Sequence, residues 1–167
     1  MFTFFPLFEW VQDTDRPNAL RSRIRSRNNL AMRSLAAGRT SEAISLYKGA
    51  LDDSGRVLGA DHPNTLTTRN NLAMAYRAAG RTAKAIRLLE RTLDDCERVL
   101  GADHPNTLTT RNNLAIAYWA AGRAADAIPL YERMLADCER LLGADHPDTK
   151  AAREGLAALT SEPKTHV

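Results

Sequence analysis

Histidine and cysteine are the side chains in this sequence that could bind a metal or act as a nucleophile, and both recur at a fixed spacing. Three histidines, each directly before a proline, stand 42 residues apart: His62, His104 and His146. Cys96 and Cys138 are separated by the same interval. Zinc ligands must lie within about 2.0–2.3 Å of one ion, whereas equivalent positions of stacked helices stay about 8–10 Å apart. We therefore expect histidines that cap turns and cysteines that pack as thiols, with no metal, disulfide or cofactor.

Charged side chains share this spacing, without the arrangement of a catalytic site. The recurring residues are Arg27, Arg69, Arg111 and Arg153, and Asp53, Asp95 and Asp137. Arg69 falls within an apolar helix stripe, between Leu72 and Tyr76, where a charge requires a partner. We expect an arginine–aspartate ladder between repeats, with Asp53 level with Arg69 of the next repeat. No nucleophile–base pair, carboxylate pair or phosphate-binding loop is recognisable, which predicts that the protein is not an enzyme.

These spacings come from an internal repeat. Residues 57–73 recur without change at 99–115, and a third copy of the opening begins at Leu141. Within each unit, glycine is typical of a helix end and Asp-His-Pro of a helix start. The second unit therefore predicts helices over Pro63–Ala79 and Thr82–Leu100, with Asp61 or His62 as an N-cap.

The predicted fold class is all-α. Each helix has an apolar stripe that it cannot bury alone, and antiparallel pairing within units and stacking between units bury both stripes. We expect an α-solenoid of about three repeats and a C-terminal capping helix. The predicted segments are an aromatic segment 1–14, a repeat domain 15–159 (repeats 15–60, 61–102 and 103–144, capping helix 146–159) and a flexible tail 160–167. The first helix, from about Pro17 to Ala37, is predicted to be one turn longer than its counterparts.

The pattern of small and large residues resembles that of a known family. Leu72-Ala73, Tyr76, Gly80, Ala85 and Leu89 resemble the packing signature of tetratricopeptide repeats. The 42-residue period, the longer second helix and the Leu-Gly-x-Asp-His-Pro linker are similar to the kinesin light chain type. The resemblance implies a right-handed superhelix whose concave surface binds peptides or partner proteins, with no chemistry of its own.

The candidate binding surface is the face of each first helix that lies opposite the apolar stripe. Aligned asparagines there can hydrogen-bond a peptide backbone, and the apolar and aromatic members offer contact area. The predicted groove residues are Asn28, Met32, Thr67, Asn70, Met74, Arg77, Thr109, Asn112, Ile116 and Trp119. The alternative is a solvated polar face without a ligand. Asn71 and Asn113 are expected to point to the flank and bond the backbone.

The N-terminal residues leave a second function open. Residues 1–12 hold all four phenylalanines together with Trp10. They are interpreted as a cap over the first repeat, as a remnant of an upstream repeat, as a patch for self-association, or as a segment that dips into a membrane. The leading hypothesis is a non-catalytic module that binds a protein or peptide. The alternative is a self-assembly element that uses this segment and the end repeats.

Charge and composition restrict the class of partner and the location. The chain has 23 basic and 20 acidic residues, and residues 1–40 hold seven arginines against three acidic residues. Arg21, Arg23, Arg25 and Arg27 alternate around a helix and form no one-sided stripe, which disfavours nucleic acid and is compatible with an acidic partner. No apolar run approaches ~18 residues, so we expect no membrane span. Two cysteines make no disulfide framework, which favours the cytoplasm.

Overall fold

The breaks that glycine and proline predict are the boundaries of helices. The structure, a computed structural model, describes residues 16–161. The helices in that range are α1 (Arg16–Ala36), α2 (Thr40–Val57), α3 (Pro63–Ala78), α4 (Thr82–Leu100), α5 (Pro105–Ala120), α6 (Ala124–Leu142) and α7 (Pro147–Ser161). The predicted aromatic segment 1–14 and residues 162–167 of the predicted tail lie outside the described residues.

The helix bounds agree closely with those expected. In the second unit only the end of α3 differs, at Ala78 rather than Ala79. The helix α1 has 21 residues against 16 in α3, which confirms that it is longer by about one turn. Gly80 and Gly101 follow helix ends with φ of 72° and 89°, in the left-handed region that glycine enters without steric cost.

Histidines begin the first helices of the second and third repeats. His62 is the N-cap of α3, and its Nδ1 accepts a hydrogen bond from the backbone N–H of Asn64 at 3.1 Å. His104 makes the same bond to Asn106 at the start of α5. Because these rings satisfy free N–H groups of the helix, the capping role is confirmed for both.

The helices form a stack in which each pair contacts the next. The helices α2, α4 and α6 each pack between the first helix of their own repeat and that of the next. The first helices also approach one another closely, α1 with α3 and α3 with α5. Within residues 16–161 the backbones of the second helices stay farther apart, and Arg133 of α6 reaches Glu97 of α4 through long side chains, at 3.5 Å. The stack therefore curves with the first helices on its inner, concave side. This architecture is the expected all-α solenoid.

Small residues let the helices approach, and large ones fill the space between them. Ala73 and Ala85 are completely buried where α3 meets α4, and Leu89 lies with them in one apolar cluster that extends to α6. A second cluster joins α1, α2 and α3 around Tyr47. Tyr76 is half-buried and packs against both clusters. The predicted apolar stripes are therefore the core.

The arginine–aspartate ladder forms within repeats, not between them as expected. Arg69 pairs with Asp95 at 2.5 Å and Arg111 with Asp137 at 2.6 Å, and in each pair both residues belong to the same repeat. The expected partner of Arg69, Asp53, instead pairs with Arg27 of its own repeat at 2.7 Å. The prediction was wrong by one repeat because counting residues from the linker does not give the level at which side chains of packed helices meet.

The two cysteines lie on second helices, Cys96 on α4 and Cys138 on α6. Cys96 is buried and lies 4.0 Å from the Thr110 hydroxyl, and Cys138 is half-buried. Among the described residues no disulfide joins them. Burial raises the pKa of the Cys96 thiol, so this group remains neutral and is a poor nucleophile.

Candidate binding surface

A depression of about 460 Å³ lies on the concave side, between α1 and α3. From α1 it is lined by Arg21, Ile24, Arg25, Asn28, Asn29 and Met32. From the following linker and α3 it is lined by Leu58, His62, Asn64, Thr67, Thr68 and Asn71. It forms because α1 and α3 contact each other at few positions. On the convex side, α2 packs against both helices and separates them. Amide and hydroxyl groups therefore face an open space between two helices.

The lining of the depression is basic. None of its residues is acidic. Arg21 and Arg25 are exposed, and no ion pair to either occurs in the described part of the chain. Their neighbours Arg23 and Arg27 turn away and bind Asp53 instead, at 2.7 Å each. Of the four alternating arginines, two therefore form ion pairs with α2 and two face the depression.

Three of the predicted groove residues come together in this depression: Asn28, Met32 and Thr67. Met32 is 60% exposed, and so large an apolar side chain in water is a candidate contact. The Thr67 hydroxyl donates to the Pro63 carbonyl at 2.9 Å and accepts from Asn106 at 3.1 Å. This part of the predicted surface therefore has both apolar and hydrogen-bonding groups.

The other predicted groove residues do not line the depression. Thr109 is exposed, and five further members are half-buried: Met74, Arg77, Asn112, Ile116 and Trp119. Trp119 packs against the apolar cluster of α3–α6, so part of its ring contributes to the core. The predicted row is continuous only in its N-terminal part.

Asn70 departs from the expected row. It is 6% exposed, and its Oδ1 accepts a hydrogen bond from Nδ2 of Asn113 at 3.1 Å. The expectation that Asn70 lies open to a ligand is therefore corrected: α5 covers it. A helical wheel shows the side on which a residue lies, but not how closely the next helix approaches that side.

Asn71 is the functional candidate that sequence reasoning assigned to the flank. It lines the depression together with Asn29, and its equivalent in the third repeat, Asn113, bonds the Asn70 side chain and not the backbone. The signal was present in the sequence, because Asn-Asn pairs recur at 28–29, 70–71 and 112–113. The expected groove includes only the first member of each pair.

The described residues offer no other site of recognisable chemistry. No group of three histidine, cysteine, aspartate or glutamate side chains between 16 and 161 is placed to hold a metal ion. Over the same range, no helix combines the length and hydropathy needed to cross a bilayer. The expected self-association through residues 1–12 falls outside this range and stays a prediction.

Two ionisable groups away from the depression, Tyr118 and Arg123, have structural partners. Burial, together with a hydrogen bond to the Glu90 carboxylate at 2.6 Å, raises the pKa of Tyr118 to about 12. The Arg123 guanidinium lies 4.4 Å from the centre of the same ring and also pairs with Asp126. These contacts fix the C-terminal end of α5 against its neighbours, and none of the groups involved lines the depression.

Known proteins resemble this chain both in fold and in type of repeat. A sequence model of the tetratricopeptide repeat matches residues 22–98 and 70–136. A solved structure of a Podosopora anserina protein, described as of the kinesin light chain type with nearly identical TPR-like repeats, is 33% identical with a TM-score of 0.75. The match covers 83% of this chain and 65% of that one, so this chain spans slightly less than two thirds of its length.

Two further solved structures support the fold alone. BtubC (BKLC) from P. vanneervenii is 24% identical with a TM-score of 0.71, over 80% of this chain and 53% of that one. A TPR-like protein from Chlorobium tepidum is 18% identical with a TM-score of 0.66, over 87% and 99% of the two chains. No curated protein matches the sequence.

Proposed function

Because the chain belongs to the tetratricopeptide repeat family and has repeats like those of kinesin light chains, we propose that its concave surface holds an extended peptide segment of a partner protein. Repeats of this family generally mediate interactions between proteins and act as non-catalytic scaffolds. The proposed position is the depression between α1 and α3. The proposal rests on one observation: this depression of about 460 Å³ is lined by amides, hydroxyls and the exposed side chain of Met32.

The side chains around the depression suit a peptide main chain. Asn29 and Asn71 lie on opposite sides of it, and each amide can donate to a carbonyl and accept from an N–H group. Such bonds do not depend on the side chains of the peptide. Met32, on the α1 side, adds an adaptable apolar contact. The peptide would therefore be held along its backbone and selected at a few positions.

Charge gives the peptide a preferred composition. Arg21 and Arg25 face the depression without a carboxylate among its lining residues. An acidic side chain on the peptide would gain charge-assisted hydrogen bonds that are stronger than neutral ones. Its attraction would weaken as salt screens the exposed charges.

Selection from a displayed peptide library on the full chain tests the proposal. Peptides that bind wild type are measured by calorimetry against M32R and N71R, which place a bulky charge in the depression. We expect each variant to weaken binding about tenfold or more, the loss of roughly 1.4 kcal/mol.

The control is S45R, which places the same side chain on the exposed face of α2 and is expected to leave affinity unchanged. Circular dichroism verifies that all three variants fold. Peptides that bind M32R and N71R as tightly as wild type would contradict this location.

A further inference from the structure

Successive repeats are joined by an ion pair at two of the three junctions. At the junction of the second and third repeats, Arg111 of α5 reaches back to Glu97 of α4 at 2.9 Å. At the next junction, Arg153 of α7 reaches back to Glu139 of α6 at 2.7 Å. In both pairs the glutamate precedes the arginine by 14 residues. The same contact therefore ties each of these first helices to the preceding repeat.

The junction of the first and second repeats lacks this ion pair. Arg69 of α3 is the equivalent arginine, but the residue 14 positions before it is Gly55. Arg69 pairs with Asp95 of its own repeat. Its guanidinium otherwise reaches only the Ala60 carbonyl in the linker, at 3.5 Å. Among the described residues of the first repeat, no carboxylate is bound to this arginine.

Hydrogen bonds between the first helices differ in the same way. Between α3 and α5, Asn113 donates to Asn70 and Asn106 donates to Thr67, both at 3.1 Å. Between α3 and the described side chains of α1 (residues 18–36) there is one such bond, from Asn28 to Thr68. The Asn28 Oδ1 atom is buried without a hydrogen-bond donor, although its equivalent in Asn70 has one.

Apolar contact still holds the first junction together. Tyr47 of α2 and Leu72 of α3 are 2% and 4% exposed and lie in one cluster. Such contacts are strong but not directional, whereas ion pairs and hydrogen bonds fix the relative position of two helices. The first junction therefore has apolar packing, but fewer ion pairs and hydrogen bonds than the second junction to fix the relative position of its helices.

We propose that the junction between α2 and α3 is a hinge at which the pair α1–α2 opens and closes against the remaining helices as a unit. The physical cause is the glycine at position 55, which removes the carboxylate that the other two junctions use. The inference does not depend on what the depression binds. It places a hinge at the edge of that depression.

Restoring the carboxylate tests the hinge directly. A Cβ at position 55 meets no atom within 4 Å, so G55E and G55Q both fit. The two variants have nearly equal helix propensity, and only G55E can pair with Arg69. The measurement is native-state hydrogen exchange, resolved by helix, on the full chain.

In wild type we expect amides of both α1 and α2 to exchange about tenfold or more faster than those of α4 and α5. G55E should slow exchange in α1–α2 about two- to fivefold more than G55Q does, as a partly exposed ion pair would. In an R69Q background the difference between G55E and G55Q should disappear. Equal exchange in G55E and G55Q, a difference that persists with R69Q, or wild-type protection of α1–α2 equal to that of α4 and α5 would each overturn the hinge.

Discussion

Arg111 is a charged residue whose side chain is 1% exposed, among helices packed by alanine and leucine. Its guanidinium binds Asp137 at 2.6 Å and Glu97 at 2.9 Å. A charge in this position is tolerated because two carboxylates replace the water that it has lost. Such an arrangement does not by itself add stability over an apolar core, but removal of one member is costly.

Replacement of Arg111 by methionine tests this cost. Asp137 and Glu97 keep second partners in Arg140 and Arg133, so we expect R111M to lower the free energy of unfolding by about 1–3 kcal/mol, below the value for a fully isolated charge. Urea titration followed by circular dichroism measures it. The control is R153M at an arginine that is 48% exposed, with an expected change below about 1 kcal/mol. Equal losses in both variants would contradict the role of burial.

Asp53 has a pH dependence of its own. The hydrogen bond from Arg23 holds the pKa of this carboxyl below its ordinary value of 3.8. Burial opposes this by raising the pKa, and the charges of Arg23, Arg27 and Arg56 lower it further. Because the folded pKa is lower than the unfolded one, the stability from this group is complete above about pH 5 and is lost as pH falls through the folded pKa.

The D53N variant should therefore show a flatter decline of stability with acid than wild type does. Urea midpoints between pH 6 and pH 3 measure the slope, and D52N at an exposed neighbouring position serves as the control. A D53N slope equal to that of wild type would show that the arginines do not act through this carboxylate.

At the scale of the element, the helices α3 and α5 are defined by local chemistry at their starts. Proline at the first position lacks the N–H that would have no partner there, and the preceding histidine accepts the bond from the residue after the proline. The second helices start differently: α2, α4 and α6 have arginine at the N-cap without a side-chain cap bond. Their starts depend on glycine turns and on tertiary contact.

Loss of a histidine cap should therefore destabilise α5. H104A removes the acceptor for the Asn106 N–H and should lower the free energy of unfolding by about 0.5–2 kcal/mol. H104N keeps a side-chain acceptor at the cap and should recover most of the loss. Thermal unfolding of both variants gives the comparison, and an H104N as unstable as H104A would mean that packing of the ring matters more than the cap.

At the scale of the molecule, stability comes from contact between neighbouring repeats. Leu89 is completely buried in the cluster that joins α3 to α6, and it contributes to the packing of two repeats at once. A stack of this kind has no single centre, so a substitution acts mainly on the repeats that it touches. The effect of a substitution on stability therefore depends on which repeats the residue contacts as well as on its burial.

The L89A variant should lower the free energy of unfolding by about 2–5 kcal/mol, since its methyl groups leave a cavity between helices. V99A, at a residue that is 38% exposed near the end of α4, is the control and should change it by less than about 1 kcal/mol. Urea unfolding measures both. A small effect of L89A would mean that the α3–α6 cluster is not the main source of stability.

Helix number, helix bounds and the apolar stripes were determined by the sequence alone, because each depends on residues within a few positions of one another. The sequence left the N-cap of α3 open between Asp61 and His62, and the structure places His62 there. Because the same stripes recur every 42 residues, stacking of successive repeats buries all of them. The sequence did not determine how the stacked helices tilt and how closely they approach. Those quantities decided that Asp95, not Asp53, binds Arg69, that α5 covers Asn70, and that Asn71 lines the opening. Each depends on contacts between residues 26 to 43 positions apart, whose geometry arises from the packing of whole helices and not from any local pattern.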